Sequence, residues 1–333
     1  MSRDLRQTAA GTVALALAAL ALAAMGPTRA QETDPLRTRN LSPLVSIFGL
    51  PTWEAGLGTE PGEVAVVGEI ASHFRLAEKG SERLVLDGET WRVGLFYKRR
   101  LGERWSVGVE VPVYRHWGGV LDDVIDAWHS TFNLPEGNRN RRPDDQLEFR
   151  YEDLGASGYF LDAPSSGLGD IQVSVARQIG GDGAFTLRAA VKLPTGDANI
   201  LAGSGAADFS LTVLKEVPAT WHSKPGGVYW GAGVMKVGEP DFFAARSEDW
   251  VVFGVFGGSW RVYPRLGLKA QLDLHSRFYD SALDELGRDS IQASIGGYWM
   301  LDERRRLDFA INEDLVVRTA PDVSLHVGFS WGL

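Results

Sequence analysis

The 333-residue chain has no cysteine, which excludes disulfide staples and thiolate metal sites. Positive charge is also in deficit: 34 Lys and Arg against 43 Asp and Glu leave a formal net charge of −9. That balance argues against nucleic acid, whose partners carry basic patches. No internal run reaches the roughly 18 consecutive apolar residues of a spanning helix. No Gly-x-Ser-x-Gly and no His-Glu-x-x-His occurs, so the serine-elbow and zinc-helix chemistries lack their signatures. What is present is 44% hydrophobic residues at a mean hydropathy of −0.11, together with 39 Gly and 11 Trp. Membrane proteins built from strands give such averages, because lipid-facing and lumen-facing residues alternate.

The last stretch carries that alternation without error. From Val323 to Leu333 the odd positions Val323, Leu325, Val327, Phe329, Trp331 and Leu333 are apolar, and the even ones are small or polar. A period of two gives a β-strand one greasy face, and Trp and Phe near the end sit where membrane barrels place an aromatic girdle. At the other end, Arg3 and Arg6 precede an uncharged Ala/Leu-rich run over 8–25, followed by Gly26-Pro27 and the small residue Ala30. This reads as a secretory signal peptide over 1–30, cleaved after Ala30, and predicts export to the bacterial outer membrane.

From residue 63 onward, alternating segments of about ten residues are separated by turn signals. They cover 64–76, 91–101, 105–115, 171–179, 185–193, 209–217, 228–238, 250–262, 266–278, 291–301, 307–317 and 323–333. The prediction is all-β: a transmembrane antiparallel up-and-down β-barrel of about twelve strands, spanning 63–333, with one long helix-containing outer loop. Connection lengths support it, since such barrels have short periplasmic turns and long outer loops. Counted back from the C-terminus, the periplasmic set falls at 302–305, 263–265, 218–227, 180–183 and 101–104, four of them tight. The outer set falls at 318–322, 279–290, 239–249, 194–206, 116–167 and 77–90, all but the first long.

Two stretches break the meander. In the long outer loop 116–167, Val120, Leu121, Val124, Ile125, Trp128 and Phe132 recur at helical spacing behind Asp122, Asp123 and Asp126, which predicts a short amphipathic helix. Residues 31–62 include Leu44, Val45, Ile47, Phe48, Leu50 and Trp53. They are too apolar to hang in water and predict a lumen plug or a segment packed beneath the barrel.

Parity also sorts the charges. Arg92, Lys98, Glu110, Asp170, Arg188, Lys192, Lys269, Asp273, Arg277, Asp308 and Asp314 fall on the polar face and are candidate lumen residues. An Arg or Lys at mid-membrane on the lipid face would cost about 2–4 kcal/mol. Such a lining either cross-links the interior or forms a polar conduit whose mixed charge sets selectivity.

The motifs Asn40-Leu41-Ser42-Pro43-Leu44, His129-Ser130-Thr131-Phe132, Gly167-Leu168-Gly169-Asp170, Lys192-Leu193-Pro194-Thr195-Gly196-Asp197 and Gly203-Ser204-Gly205-Ala206-Ala207-Asp208 resemble the DUF3187 family of Gram-negative proteins. That resemblance implies an outer-membrane barrel of unknown role. The Leu-Pro-Thr-Gly-Asp and Gly-Ser-Gly elements also look like those of meta-pathway outer-membrane channels, which implies solute passage.

Catalysis has a thinner basis. His275 and Ser276 are neighbours in a strand and point to opposite faces, while His129-Ser130 could meet Asp126 in the long loop. Asp122, Asp123, Asp144 and Asp145 lack the spacing of an EF-hand and read as outer-loop charge. The expected function is therefore a narrow channel for passive transport of a small solute, not an enzyme, with no cofactor and no metal. The alternatives are a lipid-modifying enzyme at the rim or a plugged structural barrel. Expected partners are outer-membrane lipid and lipopolysaccharide, the barrel-assembly machinery and periplasmic chaperones during biogenesis, and the solute.

Overall fold

Alternation along successive hairpins closes the chain on itself. The structure, a computed structural model, describes residues 33–57, 61–119, 145–154, 158–181, 185–315, 319–321 and 323–333. Within them twelve antiparallel strands form one closed cylinder: β1 (Gly62–Lys79), β2 (Glu82–Leu101), β3 (Trp105–Trp117), β7 (Gln172–Ile179), β8 (Phe185–Lys192), β9 (Asp208–Trp221), β10 (Lys224–Lys236), β11 (Trp250–Arg261), β12 (Leu266–His275), β13 (Ser290–Met300), β14 (Arg305–Asp314) and β15 (Val323–Gly332). The last strand closes the ring on the first, from Glu63 opposite Gly332 to Ser72 opposite Val323. Three short strands, β4 (Glu148–Asp153), β5 (Tyr159–Leu161) and β6 (Ser165–Leu168), add to the outer half. No described helix is long and apolar enough to cross a membrane. The strands do the crossing.

The faces separate as a lipid solvent requires. Outward positions are greasy: Val93, Val109, Val175, Leu211, Val252, Leu268, Ile295, Ile311 and Val327 are exposed, whereas Arg92, Lys98, Arg188, Lys192 and Lys269 are buried. Tyr97, Trp105, Trp221, Trp299 and Tyr263 stand exposed at the short-turn end, with Phe209 and Trp250 at the other. Trp331 keeps its outward parity but is covered, packed against Phe329 at 5.5 Å. The facing of β15 makes a direct prediction. Val327 lies mid-strand and 53% exposed, so Val327→Arg should cost about 2–4 kcal/mol and impair assembly. A side chain at the inward Gly328 would meet only ordinary contacts, at 3.5 Å from His326 and 3.6 Å from Asp308 and Val67, so Gly328→Ser should be mild. Yields of heat-modifiable barrel compare the two, and equal yields would contradict this facing.

Two connections differ from expectation. Residues 77–90 are not a loop, because β1 and β2 continue to Lys79 and from Glu82 with unbroken pairing, and the hairpin rises past the neighbouring strands. Polar and charged residues there disguise strand that has left the lipid. The 218–227 connection is likewise tight, with Trp221 opposite Lys224, so all five turns at that end of the barrel are short. The expected helix at 120–132 lies outside the described residues. The rest of the long loop supplies β4, which pairs with the raised part of β2, and β6, which pairs with β3.

A proline inside β3 is accommodated by a bulge. Pro112 has no N–H to give, and prolines are confined to such interruptions. Opposite 111–112 the neighbouring chain spends three residues, 169–171, between the Leu168 and Gln172 pairings, and Gly169 N–H closes the gap onto the Pro112 carbonyl at 2.8 Å. Asp170, within the bulge, is turned inward.

Candidate functional site

The lumen is occupied by residues 33–57, nearly all of them buried. They form a hairpin that climbs from the short-turn end, turns near the outer end and descends again. The ascending arm runs beside β12 two residues at a time. Leu36 N–H donates to Gln271 Oε1 (2.9 Å), Thr38 Oγ1 to Asp273 Oδ2 (2.8 Å), and Asn40 Nδ2 contacts His275 Nε2 (3.0 Å). An extended backbone within a barrel must find hydrogen-bond partners, and the inward polar side chains of β12 provide them: Gln271 also donates to the Leu36 carbonyl.

The turn uses local chemistry. Asn40 Oδ1 accepts from Ser42 N–H, and the Ser42 carbonyl accepts from Val45 and Ser46. This presents Leu44, Val45, Ile47 and Phe48 to an apolar cap made by the outer connections and β4. Phe48 stacks on Phe278 at 4.7 Å, and Tyr279 donates its hydroxyl to the Leu44 carbonyl at 2.6 Å. Burial of Tyr279, with Tyr151 nearby, pushes that hydroxyl well above its ordinary pKa, so it remains a donor. The cap is clipped from above by Glu82, which accepts from Tyr151, Ser281 and Ala282 N–H.

The descending arm is held by acids of β9: Gly49 N–H donates to Asp208 Oδ2 (2.7 Å) and Gly56 N–H to Glu216 Oε2 (3.1 Å). Trp53 lies on Gly231, where an added Cβ would come within 2.6 Å of its ring, and tilts against Phe253 at 5.7 Å. The glycine makes the recess that the tryptophan fills.

Charges cross-link this assembly in three tiers. Nearest the short-turn end, Glu54 of the hairpin pairs with Arg188 at 3.0 Å and lies within 4 Å of Lys98 and Arg37, while Arg37 pairs with Glu63. In the same tier Arg306 joins Asp34 to Asp308, and Asp308 pairs with Lys269 at 2.9 Å. In the middle, Arg92 joins Glu69 and Glu110 and reaches Tyr114, with Arg39 3.4 Å from Glu110 and His326 3.5 Å from Glu69. In the outer tier Lys192 pairs with Asp170 (2.7 Å) and Asp208 (3.1 Å) and donates to the Ile47 carbonyl. Asp170 in turn accepts Gly196 and Ser204 N–H, so the Leu-Pro-Thr-Gly-Asp and Gly-Ser-Gly elements fold inward over the hairpin.

Of the residues picked by parity, Arg92, Lys98, Glu110, Asp170, Arg188, Lys192, Lys269, Asp273 and Asp308 face the lumen and enter these contacts. Asp314 sits at the outer end of β14 and accepts from Ala320 N–H at 3.4 Å. Arg277 is a correction: β12 ends at His275, and Arg277 stands exposed above the rim, paired with Glu248 and Asp280. Parity stops predicting direction once the strand stops. Sequence reasoning missed Glu69, Arg306, Asp208, Glu216 and His326, although all lie at inward parity on their strands, and it missed the hairpin ions Asp34, Arg37, Arg39 and Glu54, which have no period to reveal them.

Small cavities flank the hairpin, each of about 20 Å³ and roughly the size of one water. Among the described residues His275 meets the Ser276 carbonyl and Asn40, and the Ser276 hydroxyl accepts from Val252 N–H outside. His129, Ser130 and Asp126 lie outside the described residues. Among the described residues no group of three His, Asp or Glu could hold a metal ion.

Comparison with solved structures finds a channel, a porin and a transporter among the similar chains. The COG4313 outer membrane channel from Pseudomonas putida F1 aligns at 14% identity and a TM-score of 0.49, over 86% of this chain and 97% of that one. The NanC porin aligns at 11% and 0.43, over 81% and 100%, and the toluene transporter TodX of P. putida at 11% and 0.36, over 82% and 89%. No curated protein matches the chain. The family model described as a protein of unknown function, DUF3187, matches residues 12–333, and the chain belongs to that family.

Proposed function

We propose that the protein is a narrow outer-membrane channel for passive transport of a small polar solute, closed by residues 33–57 and opened by their displacement. One observation carries this reading. Among the described residues no backbone–backbone hydrogen bond joins the hairpin to the wall; it is held by side chains, so it can leave without breaking the ladder of the barrel. Its charges, Asp34, Arg37, Arg39 and Glu54, sum to zero, so its departure leaves the net charge of the lumen unchanged. A twelve-stranded wall lies between the roughly eight strands that only side chains fill and the 16–18 of open porins. That width supports a conduit once the hairpin is out.

The exported, signal-cleaved form and contact with lipopolysaccharide belong to the same proposal. Arg115 over Trp117 and Lys236 over Trp250, at the outer rim, support the lipid contact. The reading is non-enzymatic, with His275 engaged in holding Asn40.

The absence of cysteine makes a clean test available. A side chain at Gly56 would touch Thr186 Oγ1, so Gly56→Cys with Thr186→Cys ties the descending arm to β8 by the only disulfide in the chain. In planar bilayers the oxidised variant should be silent and the reduced one should open as wild type does. The barrel lacking 33–57 should conduct continuously. Equal conductance in both redox states, with the deletion variant closed, would exclude gating by the hairpin.

A further inference from the structure

We infer that Arg188, supported by Lys98, forms a binding site for a small carboxylate solute, which the hairpin's own Glu54 carboxylate occupies in the closed state. The inference rests on the gated-channel reading and names its substrate class.

Among the described residues the six buried cations of the wall differ in where their partners come from. Arg92 keeps Glu69, Glu110 and Tyr114 without the hairpin. Lys192 keeps Asp170 and Asp208, Lys269 and Arg306 keep Asp308, and Lys98 keeps Glu63 at 3.7 Å. Arg188 stands apart among the described residues: the acceptors of its guanidinium are the Glu54 carboxylate at 3.0 Å and the Glu54 and Ala55 carbonyls at 3.4 Å, all of them in the hairpin. When the hairpin withdraws, this guanidinium faces the lumen without the hydrogen-bond acceptors it has in the closed state, and Glu216 is the wall acid nearby.

A guanidinium presents a planar fork that matches a carboxylate. The geometry already shows a carboxylate seated on it, with Lys98 3.9 Å from the other oxygen. The wall acids near the pair are Glu63, beside Lys98, Glu216, which accepts Gly56 N–H and feels the charge of both cations, and Glu110, which is paired with Arg92. The small cavity beside Arg188 is lined by Gln172, Ser174, Ala190 and Phe96, by Glu110, whose charge is taken up by Arg92, and by Pro51 and Thr52 of the hairpin. Withdrawal of Pro51 to Glu54 enlarges that cavity directly beside Arg188. There a solute carboxylate meets the fork, and its remainder meets the polar side chains of β7 and the ring of Phe96. Solute and Glu54 then compete for one cation, so solute binding itself favours the open state.

The test uses full-length protein in planar bilayers, with succinate, its neutral counterpart succinamide, or inorganic phosphate on the periplasmic side. Succinate should raise the open probability of wild type about tenfold, equivalent to about 1.4 kcal/mol of preference for the open state, and succinamide should not. Glu54→Gln should open more often without any solute. Arg188→Gln also loosens the hairpin, so its readout is the ratio with and without succinate, which should fall to one; Arg188→Lys should restore it in part. An equal succinate response in wild type and Arg188→Gln would overturn the site, and a response to phosphate alone would overturn its assignment to carboxylates. If the barrel lacking 33–57 conducts while succinate has no effect on wild type, the site fails and the channel reading stands. If that barrel does not conduct, the channel reading itself fails.

Discussion

Replacing Arg92 by leucine is expected to destabilise the folded barrel by about 3–5 kcal/mol, the loss seen when one partner of a buried ion pair is removed. Arg92 is fully buried between Glu69 and Glu110, so its loss leaves two carboxylates facing each other. Arg39, 3.4 Å from Glu110, and His326, 3.5 Å from Glu69, are placed to offset only part of that repulsion. The triple variant Arg92→Leu, Glu69→Gln, Glu110→Gln removes the uncompensated charge and should recover most of the stability. Urea unfolding followed by tryptophan emission measures both. A single variant as stable as wild type, or a triple variant no better than the single, would show that the tier contributes nothing through charge.

Phe48→Ala should cost about 3–5 kcal/mol where it acts, as large-to-small changes of buried aromatics do, but that cost should fall on the cap. Phe48 is 1% exposed and packs against Phe278 and Tyr279, in the connection between β12 and β13 and outside the barrel ladder. Hydrogen exchange should therefore accelerate over residues 278–287 and over the tip at 42–48, while the β12 to β13 ladder stays protected. Open events should become more frequent, because the tip is the hairpin's apolar anchor. Uniform loss of protection across the barrel would mean instead that hairpin, cap and wall unfold as one unit.

The sequence was most informative where lipid constrains it. In β12, Leu268, Ala270, Leu272 and Leu274 alternate with Lys269, Gln271, Asp273 and His275, and the structure keeps that assignment residue for residue. The same alternation misled where strands leave the membrane. Residues 77–90 lack a lipid-facing period, yet they are strand, because β1 and β2 stay paired with each other there and the other edge of β2 takes β4 as its ladder partner. Arg277 shows the converse, a residue of correct parity beyond the end of its strand.

By itself the sequence determined a closed barrel, its strand order and the direction of most side chains, because a lipid solvent forces a period of two and leaves no edge unpaired. It also showed that residues 31–62 are too apolar to remain in water. Only the tertiary structure decided where that segment goes and what holds it. Leu36, Thr38 and Asn40 meet Gln271, Asp273 and His275 across 235 positions of chain, and Glu54 meets Arg188 across the lumen. Such pairings follow no local period, since they depend on which side chains the closed wall brings face to face.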